Sequence, residues 1–178
     1  MLTDWLWVIF TLVAAAAQTA RNSMQKELTA TLGTVGATHV RFFYGLPFAF
    51  AFLVAISLVE GLPAGLLDPH YLGWTVGGGL AQVAATGMML AAMRTRSFVA
   101  TITYTKIEPV LVLMFAAIFL RELPTAWAAA GVFVTTAGVM LMSWPAGDTR
   151  NGWLAATLLG LGSGVFFAIS SVFYRGGI

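Results

Sequence analysis

Six stretches of about twenty predominantly apolar residues follow one another along this chain, and that repetition constrains its fold more than any other feature. They run over roughly residues 5–24, 38–59, 71–93, 97–120, 125–144 and 152–174. A helix needs about 20 such residues to cross a hydrocarbon core of about 30 Å, and each stretch meets that length. The runs are continuous rather than alternating at every second residue, which excludes a transmembrane β-barrel. Charge, glycine and proline mark the breaks: Arg21 to Gly36, Glu60-Gly61-Leu62-Pro63, Arg94-Thr95-Arg96, Arg121-Glu122-Leu123-Pro124, and Pro145 to Asn151. Trp5, Trp7, Tyr71, Trp74, Trp127, Trp144 and Trp153 fall near span ends, where amphipathic rings favour the headgroup level.

Composition closes the alternatives. Only 9% of the 178 residues are charged and 59% are hydrophobic, and the mean hydropathy is +0.87. A soluble domain carries about 25% charged residues, so this chain reads as an all-α integral membrane protein whose partner is the lipid bilayer. The net charge of +2 and the scattered basic residues exclude nucleic acid as a partner. With no cysteine, disulfides, thiolate metal sites and cysteine nucleophiles are excluded as well. The first apolar stretch has no basic segment before it and is followed by further spans, so it reads as a membrane span rather than a cleavable signal peptide.

The informative residues are the polar ones inside the spans. A charge at mid-bilayer costs at least about 2.5–3.5 kcal/mol on insertion scales and therefore faces a partner or water. Lys106 and Glu108 lie about 13 to 17 Å along the fourth span from Ser97, near the membrane centre. Two residues apart on a helix, they project in nearly opposite directions, so at least one must look to another helix, a cavity or a ligand. Thr101, Tyr104, Thr105 and Glu108 share a face, and Pro109 removes a backbone donor, freeing a carbonyl around Thr105. The plain alternative for Lys106 and Glu108 is a structural interhelical ion pair. Gln18, Asn22 and Gln25 recur at helical spacing with Arg21 at their border. They line a polar path if the first helix continues toward Leu32, and are solvated loop if it exits near Arg21. Gln82, midway along the third span, is either a cavity residue or an amide bridging two helices.

Other features carry plainer readings. Arg41 is expected to snorkel to the interface, His39 and His70 to sit there singly without a metal, and the Met88-Met89 pair to serve packing. Pro47 is expected to kink the second span. Gly73, Gly77 and Ala81 on one span, and Gly160 with Gly164 on another, are small-residue faces for helix contact. Basic residues flanking the connections after spans 1, 3 and 5 (Arg21, Lys26, Arg41, Arg94, Arg96, Arg150) outnumber Arg121 and Arg175 on the opposite side. That bias shrinks to four against two if Arg21 and Arg41 face an internal cavity.

The run Glu108-Pro109-Val110-Leu111-Val112-Leu113 through Phe119-Leu120-Arg121-Glu122-Leu123, followed by Gly131 and Gly138-Val139-Met140-Leu141-Met142, resembles the EamA unit of the drug/metabolite transporter superfamily. The opening of the second span, Ala37-Thr38-His39-Val40-Arg41-Phe42-Phe43, is similar to that family too. The resemblance covers about residues 5–144. It implies one five-helix repeat over 1–148, and it implies that 149–178 supply the first helix of a second, inverted repeat, apparently cut short after the sixth helix. Aligning Trp153-Leu154 with Trp5-Leu6 also pairs Ala168 with Ala20 and Ser171 with Ser23, and inverted repeats are an established transporter plan. What the resemblance implies for function is transport of small metabolites, amino acids or drugs by alternating access. Export and coupling to protons or another ion are part of that expectation, as is placement in the cytoplasmic (inner) membrane of a bacterium. The residues expected at the substrate or ion site are Glu108 and Lys106, then Tyr104, Gln82, Gln18, Asn22 and Arg21. No cofactor or metal is expected.

Two other classes compete. A non-transporting membrane subunit or partial chain would use its small-residue faces for assembly. Dimerisation would complete a missing half and return a transporter resembling the small multidrug exporters. An intramembrane enzyme has little support, because the chain holds no H-E-x-x-H pair and no G-x-S-x-G elbow. Gly162-Ser163-Gly164 lacks a histidine on its helix to activate the serine, and no Gly-Lys-Ser/Thr follows Gly77-Gly78-Gly79 to make a phosphate loop.

Overall fold

A computed structural model describes residues 3–61, 68–95, 98–142 and 153–177. Leu62-Pro63, Arg96, Ser97, Trp144 and the connection from Pro145 to Asn151 lie outside the described residues. The described elements are helical throughout: α1 Thr3–Phe43, α2 Leu46–Glu60, α3 Pro69–Thr95, α4 Phe98–Thr105, α5 Glu108–Phe115, a π-helical turn Ala116–Leu120, α6 Ala126–Met142 and α7 Trp153–Gly176. By length and composition, four helical stretches can cross a membrane: Trp5–Glu60, Pro69–Arg94, Phe98–Leu120 and Leu154–Gly176. Ala126–Leu141 is a shorter apolar helix. Exposed Phe48, Phe50 and Phe52 on α2, and Val134 and Leu141 on α6, suit contact with lipid.

The first of those stretches contains two of the six expected spans, and here the structure corrects the sequence reading. The 56 residues Trp5–Glu60 would extend about 84 Å if straight, far beyond a bilayer's hydrocarbon thickness. They do not run straight. Gly33 adopts φ 70°, ψ 178°, a backbone region essentially closed to side-chain-bearing residues. Beyond it, Arg41 Nη1 donates a 2.9 Å hydrogen bond to Gln25 Oε1. Residues sixteen apart on one helix would be separated by about 24 Å, so the chain turns back on itself at Gly33. The expected polar break from Arg21 to Gly36 is therefore helical on both sides of a single glycine. Pro47 acts as expected: the returning arm is interrupted at Tyr44–Gly45, and α2 begins afresh with proline in its first turn.

The fourth span is also divided. Pro109 cannot donate to the Thr105 carbonyl, and the helix parts at Lys106–Ile107 into α4 and α5. Lys106 N–H is shared between the Ile102 and Thr103 carbonyls. At the far end Arg121, at φ 55°, closes the π-helical turn through its N–H to Ala116 O.

The centre of the molecule is the antiparallel pair α3–α7, the most extensive helix contact. Ser163 Oγ donates to Ala85 O and Ser170 Oγ to Gly78 O, both at 2.8 Å. Seven residues forward on α7 are matched by seven backward on α3, which is antiparallel register. The small residues permit the approach. A Cβ on Gly77 would meet the Phe173 ring, one on Gly162 would meet Met88, and one on Gly164 would lie 2.7 Å from Ile107 Cγ2 and 3.2 Å from Thr105 O. The carbonyl released by Pro109 thus lies against the helix face that lacks a side chain. Gly73, expected on the same face as Gly77, faces open space. Ala37, Met89, Leu90 and Met93 form the buried apolar cluster, with Leu28, Phe98, Ile102 and Phe167 against it.

Candidate functional site

The two arms of α1, α3, the divided fourth span and α7 line a cavity of about 380 Å³, within the size range of small-molecule sites. Its wall holds Gln18, Arg21 and Asn22 from the first arm of α1, Gln82 from α3, and Lys106 and Glu108 from either side of the helix break. Six of the seven residues expected at the site therefore line one space. The continuous first arm accounts for three of them, because a helix that carried on past Arg21 keeps the polar stripe aimed inward.

Tyr104 is the one expected residue that the structure places away from this space. It does not line the cavity. It packs against α7, where a Cβ on Gly160 would lie 2.7 Å from Tyr104 Cβ. Gln25 also turns away, since its amide oxygen holds Arg41. Arg41, for which both an interfacial and a cavity position are open in the sequence, lines the cavity. The clue was available in the polar stripe, because a glutamine at the stripe's end needs a partner and the next span supplies one. Thr105 and Ser171 complete the polar wall, and Ser171 faces the Glu108 carboxylate.

The electrostatics differ from a simple ion pair. Lys106 is a charged neighbour of Glu108, yet among the described residues the ion pair in the structure is Arg175–Glu122, at the far end of α7. The helix break between them sets aside the opposed projection expected on one unbroken helix, and both residues line the same cavity. Arg21 and Arg41 stand within electrostatic reach of each other. Asn22 Oδ1 and Gln25 Nε2 are buried and make no hydrogen bond within the chain.

Gln82 occupies both roles considered for it. It lines the cavity, and its amide oxygen is 2.9 Å from Ser170 Oγ. The Ser170 hydroxyl has one proton, already directed at Gly78 O, so the pair is satisfied when the amide is turned to donate its NH₂. His70 accepts a 3.1 Å hydrogen bond from Trp74 Nε1, and His39 stacks on Phe43 at 5.4 Å. Among the described residues no cluster of three metal-ligating side chains occurs.

No curated protein and no solved structure matched the chain. Residues 5–144 match the EamA-like transporter family, a span that holds the hairpin at Gly33, the helix divided before Pro109 and every expected site residue. The chain belongs to the EamA-like transporter family, whose members are membrane transporters of small molecules.

Proposed function

We propose that this protein moves a small molecule across the membrane by alternating access, with the cavity at the divided fourth span as its binding site. The observation that carries this reading is the break itself. It sets an ammonium group and a carboxylate on a 380 Å³ cavity inside a membrane span, where unpaired charge is costly and is kept for function. Discontinuous helices beside a binding site are a recurrent transporter device. Glu108, in the first turn of α5, is the coupling carboxylate. Protonation neutralises it and leaves Lys106 without its neighbouring counter-charge, which changes the stability of the closed cavity. Arg21, Asn22, Gln18 and Gln82 bind and orient the substrate.

The reading extends to export from the cell across a bacterial inner membrane. In it residues 1–148 form one five-helix repeat, and α7 opens a second, inverted one. Support for the inversion comes from direction: α7 runs antiparallel to α3, and after an odd number of crossings the next helix points opposite to the first.

The test is flux into proteoliposomes carrying the purified chain, with and without a proton gradient, across a panel of anionic, zwitterionic and cationic small molecules. Gradient-dependent flux of any compound, reduced at least about tenfold in Glu108→Gln with the melting temperature retained, is the expected result. Flux indifferent to both gradient and substitution would remove the coupling role. No flux of any compound by the folded chain would overturn the reading in favour of a non-transporting membrane subunit.

A further inference from the structure

The cavity wall is unbalanced in charge. Arg21, Arg41 and Lys106 bring three cations to it, and Glu108 is its carboxylate. The described lining is therefore two positive charges in excess. Arg41 is hydrogen-bonded to Gln25, but an amide oxygen is neutral. That contact uses one of five guanidinium donors and leaves the charge uncompensated. Arg21, a charged neighbour of Arg41, is also a cation. Like charges gathered around one space repel one another, and an anion that enters it relieves that repulsion. The same wall has an apolar part in Phe98, Ile102 and Phe167, which can bury a hydrocarbon or aromatic body.

We infer that the cavity takes an organic anion: a compound with a carboxylate or similar acidic head, net negative charge and an apolar body. This rests on the transport reading and names its substrate class. The two arginines are suited to the head, because a planar guanidinium pairs bidentately with a carboxylate. Lys106 supplies a third positive charge, and the aromatic side receives the body. A lipophilic cation would add to the positive excess. A zwitterion would satisfy Glu108 but leave the excess unchanged.

The test is calorimetric titration of the full chain in phosphatidylcholine nanodiscs, with empty nanodiscs as blank. Four probes share one phenylalkyl body: benzylmalonate, a dianion; hydrocinnamate, a monoanion; phenylalanine, a zwitterion; and phenethylamine, a cation. Affinity is expected to fall in that order, by about tenfold per step, the factor that one charge-assisted contact supplies. Arg21→Gln, at an exposed position whose loss leaves the packing intact, should weaken hydrocinnamate by about tenfold and bind phenethylamine no less tightly than wild type.

Phenylalanine or phenethylamine binding as tightly as hydrocinnamate overturns the inference, and so does the absence of binding by all four. Either result leaves the transport reading intact if any panel compound still moves in proteoliposomes. Loss of all flux sinks that reading independently of the rank order here.

Discussion

The α3–α7 seam and the cavity beside it are both built from polar residues in a membrane-spanning bundle, yet they treat those residues in opposite ways. On the seam, Ser163 and Ser170 each give their proton to a carbonyl of the facing helix, and glycines bring the backbones close enough for the bond to form. In the cavity, charged groups from α1 and the divided fourth span face a common space, and Arg21, Arg41 and Lys106 outnumber Glu108. Hydrocarbon makes an unsatisfied polar group costly in both places. The difference is what satisfies it: the partner is built in at the seam and, on the proposal above, comes from outside at the cavity. Changes at the seam should therefore act on stability, and changes at the cavity on binding and flux.

Gly164→Val should break this division most severely. A Cβ there meets Ile107 Cγ2 at 2.7 Å and the Thr105 carbonyl at 3.2 Å, and the carbonyl belongs to backbone that cannot rotate away. Overpacking of this kind costs about 1–3 kcal/mol, so the thermal midpoint in detergent should fall clearly. Because the strained contact is with the break that carries Lys106 and Glu108, flux should fall with it. A variant as stable as wild type would show that the contact between α7 and the fourth-span break is loose. Ser163→Ala should have a smaller effect. It removes one interhelical hydroxyl bond, of a kind worth about 0.6 kcal/mol on average in membrane bundles, and leaves the cavity wall untouched. The melting curve should shift slightly, with binding of hydrocinnamate unchanged. Altered affinity at constant stability would mean that the seam takes part in recognition.

The same contrast marks what the sequence discloses. The spans are legible because apolar run length is a one-dimensional property, and the break in the fourth span is legible because a proline removes a specific hydrogen bond. Six of the cavity residues were reachable from helical spacing and the cost of buried charge. The reversal at Gly33 was not. A polar stretch with two glycines reads equally as a loop, whereas the backbone is helical on both sides of Gly33 and the Arg41–Gln25 contact, between residues sixteen apart, shows the reversal. The place of Arg41 stays open in the sequence for the same reason: its position at the start of an expected span suits snorkelling unless the preceding helix is known to return beside it. Tyr104 failed differently. An unbroken helix sets it within about 40° of Glu108, but the irregular turn at Lys106–Ile107 changes the phase between them and directs the ring to Gly160.

Tyr104→Phe tests that last point with the smallest expected change. The ring lies over Gly160, where the contact is made by carbon atoms, and the substitution keeps them all. Stability should stay within about 0.5 kcal/mol of wild type, as for substitutions away from a buried network, and both hydrocinnamate affinity and flux should be unaltered. Had Tyr104 faced the cavity, its hydroxyl would meet the substrate, and its removal would lower flux while the melting curve stayed in place. That outcome would move Tyr104 across the division and onto the cavity side. Unchanged flux would place the boundary between seam and cavity within a single turn, between Tyr104 and Thr105, where the loss of one backbone hydrogen bond at Pro109 turns a packing helix into the wall of a site.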